Sequence, residues 1–261
     1  VLVATWNLAG VKARLETLLA WLEERQPDIV GLQETKSVDE AFPRAAVEKL
    51  GYHVELHGQK GFNGVALLSK TPPKSVSRGL PGDTTDEQAR YIEGVWDVGG
   101  STLRFVSLYL PNGNPIGTEK FDYKLRWMAR LERHARKLLA AEVPFVLAGD
   151  YNVLPEAQDA KRPDVMLGDA LFQPESRAAW RRLVTLGLTD AVRAATAAPE
   201  VYTFWDYQDG AWRKNNGLRI DHMLLSPEAA TLFDSAAIDA HVRGWEKPSD
   251  HVPVVVELGF R

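Results

Sequence analysis

Short unbroken apolar runs alternate along the chain with amphipathic stretches. Val1 to Trp6 reads as a first strand. In "VKARLETLLAWLEERQ" the apolar positions Val11, Leu15, Leu18, Leu19 and Leu22 recur at helical spacing, with charges on the other face. "PDIVGLQE" reads as a short buried strand behind a proline, and 39–49 as a helix. Strand-like runs follow at 52–57, 64–69, 91–97 and 102–110. "EKFDYKLRWMARLERHARKLLAAE" predicts a long amphipathic helix, and "VPFVLAGDYN" another buried strand. A loop-rich stretch, 153–174, leads into a helix at 175–186, and the last third reads as strands at 201–207, 218–225 and 252–258. Many strands follow one another directly, and helices are interspersed. That order predicts an α/β protein of stacked sheets flanked by helices, with 1–261 forming one domain.

The 261 residues suffice to bury a core without covalent staples, and there is no cysteine. Disulfides, thiol nucleophiles and thiolate metal sites are therefore excluded, and a reducing compartment, the cytoplasm, is expected. No apolar run approaches the roughly 20 residues needed to span a bilayer, and no secretory signal pattern is present, so no membrane role is expected. The net charge of −4 is unlike the basic footprint of most nucleic-acid binders. A cluster of metal-binding carboxylates, however, lowers net charge without touching a binding face.

Polar residues collect where the predicted strands end: Asn7, Glu34, Asp150, Asn152, Asp221, Asp250 and His251. Each has a plain reading when taken alone. "GDYN" fits a turn, Glu34 a salt bridge to Lys36, Asn7 a helix cap, Asp221 a pair with Arg219, and a lone histidine a structural role. Together they read differently. Asp150 and Asn152 are two apart in an extended run and so project to one face. Oxygen-rich side chains suit a hard cation, magnesium or manganese, whereas histidines are too few and scattered for a typical zinc site. Asp221 with His251 makes an orienting pair, a carboxylate holding an imidazole. Metal, carboxylate base and histidine are the parts needed for hydrolysis at phosphorus.

The chain resembles the exonuclease III family of apurinic/apyrimidinic endonucleases, within the endonuclease–exonuclease–phosphatase superfamily. "TWNLAGVKARL", "QPDIVGLQETK", "GYHVELHGQKGFNGVALLSK", "LYLPNG", "KFDYKLRWM", "VLAGDYNV", "RRLVTLGLTDAVR", "YTFWDY", "GLRIDHMLLS" and "EKPSDHVPV" carry the resemblance along its length. "LQET" and "SDHVP" mark the superfamily, which includes lipid and inositol phosphatases. "GLRID", "YTFWDY" and "EKPSDH" point to its DNA-repair branch.

The resemblance implies a four-layer α/β sandwich of two packed sheets flanked by helices, with the active site at one end. It implies a monomeric, magnesium- or manganese-dependent phosphodiesterase that cleaves duplex DNA 5′ to abasic sites and trims nucleotides or blocking groups from 3′ ends. Glu34 would be the principal metal ligand, with Asn7, Asp150, Asn152, Asp250 and His251 completing the metal site or holding its waters. Asp150 would position or deprotonate the attacking water, and Asn152 would hold the phosphate or an alternative metal. His251, backed by Asp221, would hydrogen-bond the phosphate oxygen. Tyr109 would place its hydroxyl on the scissile phosphate or leaving group, near Asn112. Lys60, Asn63 and Arg90 match backbone-gripping positions. Phe204, Trp205 and Leu218 would form the pocket for a flipped abasic sugar, with core packing an equal reading for the aromatics. One departure is Ala9, where relatives usually carry Asn or Asp. Arg181 and Arg182, and the row Arg126, Arg130, Arg133 and Lys137, read as solvated helix faces rather than DNA contacts. Two competing functions are a phosphomonoesterase acting on lipid or inositol phosphates and a catalytically silent DNA-binding scaffold. Retention of Glu34, Asp150, Asp221, Asp250 and His251 counts against the second.

Overall fold

The computed structural model describes residues 1–260. Twelve strands form two mixed six-stranded sheets. The first contains β1 (Leu2–Asn7), β2 (Ile29–Gln33), β3 (His53–His57), β4 (Val65–Ser69), β11 (Phe233–Ile238) and β12 (Val254–Leu258), in the order β11-β12-β1-β2-β4-β3. The second contains β5 (Ser75–Arg78), β6 (Tyr91–Val98), β7 (Ser101–Tyr109), β8 (Phe145–Asp150), β9 (Thr189–Asp190) and β10 (Asp221–Leu225), in the order β5-β6-β7-β8-β10-β9. Helices α1 (Leu15–Arg25), α2 (Arg44–Glu48), α3 (Glu119–Ala140), α4 (Pro174–Val184), α5 (Ala191–Ala195) and α6 (Pro227–Thr231) complete the fold. Among the described residues no helix is long and apolar enough to cross a membrane.

Side-chain alternation along the strands builds the layers. Val3, Ile29, Val65 and Leu67 of the first sheet meet Phe105, Val146, Ala148 and Met223 of the second in one core between the sheets. The alternate residues Ala4, Trp6, Val30 and Leu32 pack outward on Leu18, Trp21 and Leu22 of α1. On the other side Val106, Leu108 and Leu147 pack on Trp127, Leu131 and Ala135 of α3 and Trp180 of α4. Strands buried on both faces need apolar residues at every position, which is why they appear as unbroken runs in the sequence. The result is helix, sheet, sheet, helix: the expected four-layer sandwich.

Several elements differ from the sequence reading. The predicted helix at 39–49 divides at Pro43 into a 3₁₀ turn (Asp39–Ala41) and α2, because proline breaks the backbone ladder. The predicted strand at 201–207 is a loop held by single bridges, Phe204 to Leu218 and Phe204 to His251. Strands β5, β9 and β11 and helices α5 and α6 were not anticipated; β5, β9 and β11 lie at sheet edges.

Near one end the sheets approach closely. A Cβ on Gly31 would lie 2.7 Å from the Ser107 Cβ. Beside it the Gln33 amide donates to Thr5 Oγ1 and Ser107 Oγ, both at 2.9 Å, tying the two sheets together beneath the site.

Candidate active site

Strand direction and register bring the polar strand ends to one place. β1 and β2 run parallel, with Asn7 opposite Gln33, so Asn7 and Glu34 leave the first sheet side by side. In the second sheet Tyr109 pairs with Asp150, and Asp150 with Asp221 across the antiparallel β8–β10 ladder. The chain entering β12 supplies Asp250 and His251 from the same end. Glu34 and Asn152 adopt left-handed backbone conformations, φ 47° and 46°. Such strain in non-glycine residues marks positions held by their surroundings.

The carboxylates and imidazole form a linked set. Asn7 Nδ2 donates to Glu34 Oε1 at 2.8 Å and to Asp150 Oδ2 at 2.9 Å. Its oxygen is taken by the Ala9 backbone N–H. Asn7 therefore ties the two carboxylates together and orients them. Glu34 also faces Lys36 at 3.4 Å. The Asp150 Oδ1 accepts the Asn152 N–H at 3.0 Å. His251 Nδ1 lies 2.8 Å from Asp221 Oδ2, while its Nε2 lies 3.7 Å from Asp150 and 4.0 Å from Asp250. Asp221 is fully buried, and its Oδ2 also accepts from Thr203 Oγ1 at 2.7 Å. Thr203 went unnoticed in the sequence; its hydroxyl meets Asp221 only because the 202–205 loop bridges to 218.

Burial raises the Asp150 carboxyl above its ordinary range, and Asp221 and Glu34 push it further, against the opposing pull of His251 and Asn7. For His251 burial opposes the charge, but Asp221 and Asp150 outweigh it and raise the imidazole well above its usual value. Tyr109 is likewise raised, by burial and then by Glu34 and Asp150, so its phenol stays protonated. This surplus of buried negative charge fits a cation. Glu34, Asp150 and His251 can offer ligand atoms within 4.8 Å of one another, and Asp221 Oδ1 is buried without a hydrogen-bond partner. The donors are mainly hard oxygens, as a divalent ion of that character requires.

A cavity of about 410 Å³ extends from this cluster. Glu34, Tyr109, Asn112, Asp150, Asn152, Asp250 and His251 line its polar end, and Phe204, Leu218, Met166, Leu171 and Ile220 its apolar end. The Phe204 ring stands edge-on to the His251 ring at 5.0 Å, joining the two ends. Trp205 lies elsewhere: it is 3% exposed, packs on Tyr202 and Trp212, and donates its indole N–H to Asn215. Its expected place in the sugar pocket is thus corrected. Neighbours in the "YTFWDY" loop face opposite ways, so Phe204 reaches the cavity and Trp205 the core. Arg162, Val165, Asp169, Asp206 and Asn216 also line the cavity and were missed, because they come from loops whose course the sequence pattern does not reveal.

A neighbouring groove of about 490 Å³ is lined by Asn63, Arg90, Asn112 and Lys120. Lys60 is exposed on the adjoining loop. Arg90 donates to the Tyr109 carbonyl at 3.2 Å and stacks on its ring at 5.0 Å, so it also steadies that tyrosine. Lys124, another residue the sequence did not single out, is fully buried and donates to the carbonyls of Asn112 at 3.1 Å and Asn152 at 2.5 Å. It fastens together the two loops that line the cavity. Arg219 of "GLRID" does not pair with Asp221. It is buried against Asp159 at 2.7 Å and Asp190 at 2.9 Å on the far face of the chain. Arg130 likewise serves the fold, in a buried pair with Asp86 at 2.8 Å.

Comparison with known proteins agrees with this geometry. Over 262 aligned residues the chain is 38% identical to the exodeoxyribonuclease III of Haemophilus influenzae, covering 97% of this chain and 98% of that protein. Its structure is similar to that of an AP endonuclease from Archaeoglobus fulgidus, with a TM-score of 0.93, 36% identity and full coverage of both chains. It is also similar to the 3′ phosphatase NExo from Neisseria bound to a product DNA hairpin, with a TM-score of 0.94, 34% identity and 99% of each chain covered. The profile of the endonuclease/exonuclease/phosphatase family matches residues 4–251. The chain belongs to the endonuclease/exonuclease/phosphatase family, within its exodeoxyribonuclease III group.

Proposed function

We propose that this protein is a magnesium-dependent DNA-repair phosphodiesterase that cleaves the backbone 5′ to abasic sites and removes nucleotides or blocking groups from 3′ ends of duplex DNA. The observation behind this reading is one continuous cavity. Its polar end holds Glu34, Asp150, Asp250 and the His251–Asp221 pair, and its apolar end, Phe204 with Leu218, has the character to receive a sugar without a base. Every group required comes from a single chain, and the protein acts as a monomer in the cytoplasm.

Glu34 and Asp150 would hold the ion, with Asp250 and Asn152 at the rim; manganese would serve in place of magnesium. A bound divalent ion would neutralise charge on the phosphate and favour an ionised water. Asp150 aligns the attacking water and accepts its proton, and Asn7 holds that carboxylate in place. His251 donates from Nε2 to a phosphate oxygen as charge grows there, while Asp221 fixes the opposite nitrogen and Thr203 fixes Asp221. Tyr109 keeps its proton and directs the phenol at the scissile phosphate or its leaving oxygen. Asn152, anchored through its amide to the Leu110 carbonyl at 2.8 Å, and Asn112 hold the phosphate. Asn63, Arg90 and Lys60 grip the backbone without reading sequence.

The test is hydrolysis of three substrates with and without magnesium: an abasic-site duplex, a 3′-blocked duplex and inositol phosphates. Magnesium-dependent cutting of the two DNA substrates is expected. Preferential hydrolysis of inositol phosphates would replace this reading with a phosphomonoesterase.

A further inference from the structure

Alternation along β10 turns Asp221 toward the catalytic cluster and its neighbour His222 to the opposite face. There the His222 ring packs on Tyr151 and on Trp180 of α4, with centroids 5.6 and 4.5 Å away. His222 is fully buried, so both its nitrogens need partners. Nδ1 lies 3.2 Å from Arg219 Nη1, and Nε2 lies 2.9 Å from the Val153 carbonyl oxygen. A guanidinium only donates and a carbonyl only accepts, so the ring is neutral, with Nδ1 bare and the proton on Nε2. Burial and then the Arg219 charge lower its pKa to about 4, which agrees with a neutral ring. Arg219 is itself immobile. Its Nε donates to Asp159 Oδ1 at 2.7 Å and its Nη1 to Asp190 Oδ2 at 2.9 Å. Arg193 donates to Asp159 Oδ1 as well, at 2.7 Å. A buried, charge-balanced cluster thus dictates one tautomer, and that tautomer grips the carbonyl of the residue after Asn152.

We propose that His222 is a positioning residue for Asn152, the last link of a relay from Asp159 and Asp190 through Arg219 to the Val153 carbonyl. Asn152 requires such a hold. Its backbone is left-handed, φ 46°, a conformation that persists in a non-glycine residue only when its surroundings fix it. Asp150 takes its N–H and Lys124 its carbonyl. His222 takes the next carbonyl along, so the chain cannot turn back to an extended conformation and the Asn152 carboxamide stays at the cavity wall. The effect of His222 on rate rests on the DNA reading of the site; its effect on the conformation of Asn152 does not.

The experiment uses the full chain with His222→Asn, His222→Gln, Asn152→Ala and the double His222→Asn/Asn152→Ala. The asparagine keeps an acceptor for Arg219 but is too short to reach Val153, whereas the glutamine carries an amide N–H to the place of Nε2. Urea denaturation checks that each variant is folded under assay conditions. The Asn152 side-chain amide is followed by NMR, its signals identified by their loss in Asn152→Ala. Single-turnover cleavage of an abasic duplex is measured with magnesium, and affinity for that duplex in EDTA. His222→Asn should shift the Asn152 amide signals and slow cleavage by about 10- to 100-fold, as a small misplacement does, with affinity nearly unchanged. His222→Gln should preserve the signals and most of the rate. The double variant should be no slower than Asn152→Ala alone. Multiplicative losses in the double variant, equal losses for Asn and Gln at position 222, or unaltered Asn152 signals in His222→Asn would overturn the proposal. Should His222→Asn not fold, the wild-type ring decides: its ¹⁵N shifts must show the proton on Nε2 through neutral pH, and a proton on Nδ1 overturns the relay. Failure of the wild type to cut DNA would sink the functional reading, and the Asn152 amide signals would then decide the positioning role alone.

Discussion

Asp221→Asn removes one charge from a side chain with no exposed surface, whose Oδ2 is shared by His251 at 2.8 Å and Thr203 at 2.7 Å. A hydrogen bond between charged groups contributes about 1.5–3 kcal/mol. If that support is expressed while charge grows on the phosphate, its loss slows the chemical step by about 10- to 150-fold. His251→Ala removes the donor itself and should cost about 10²–10³ in rate. The two losses should not multiply, because without the imidazole Asp221 has nothing to orient, and the double substitution should be about as slow as His251→Ala alone. The pH dependence follows the same logic. Asp221 and Asp150 raise the His251 pKa above its ordinary value against burial, which favours the protonated imidazole. With Asp221 neutralised, the pKa falls, and the variant should lose activity as pH rises through neutrality while the wild type does not. The assay is single-turnover cleavage of an abasic duplex across pH for the wild type, both single variants and the double. Multiplicative losses, or an unshifted pH profile for Asp221→Asn, would refute the pairing.

Gly31→Ala should destabilise the protein by about 1–3 kcal/mol through overpacking against Ser107; thermal denaturation should show a Tm several degrees lower, and adding Ser107→Gly should recover much of it. Asp159 is buried, but Arg219 and Arg193 hold its carboxyl below the ordinary range. Its contribution is therefore present above the ordinary carboxylate pKa and lost as pH falls through the lowered value. Asp159→Asn should cost about 3–5 kcal/mol at neutral pH and flatten the acid limb of a stability–pH curve measured by urea denaturation. Lys60→Ala should weaken binding to every duplex alike and make its salt dependence shallower, as titrations at several salt concentrations would show.

Much of the site was legible because its residues terminate strands buried on both faces. The strands before Asn7, Glu34 and Asp150 are buried almost throughout, so both the strand and its polar stop stand out. The edge strands lacked that signal: β5 "SVSR" is mostly exposed, and β11 "FDSAAI" is nowhere fully buried. In "YTFWDY" the alternation of aromatics mimicked a strand, although its backbone is satisfied by single bridges to two other segments. Which aromatic faces the cavity depends on the direction of that loop, and this is why the sequence could not tell that Phe204 lines the cavity and Trp205 does not. Lys124 and Thr203 act through contacts 28 and 18 residues away in sequence, which periodicity cannot reveal. The bridging of Glu34 and Asp150 by the Asn7 amide was likewise not legible, because its orientation depends on the left-handed turn at Ala9, φ 49°, whose N–H donates to the Asn7 oxygen.

The central claim is that Asp150, at the junction of both sheets, activates water in a cation-dependent cleavage of damaged DNA. Its most direct test is single-turnover cleavage of an abasic duplex by the wild type and Asp150→Asn, in magnesium and in EDTA, with affinity measured on the same duplex. The wild type should cut with magnesium and not in EDTA, and Asp150→Asn should bind nearly as tightly while its rate falls by at least about 10². Comparable wild-type cutting in EDTA, or an Asp150→Asn protein that binds far more weakly yet cuts normally at saturation, would contradict the account.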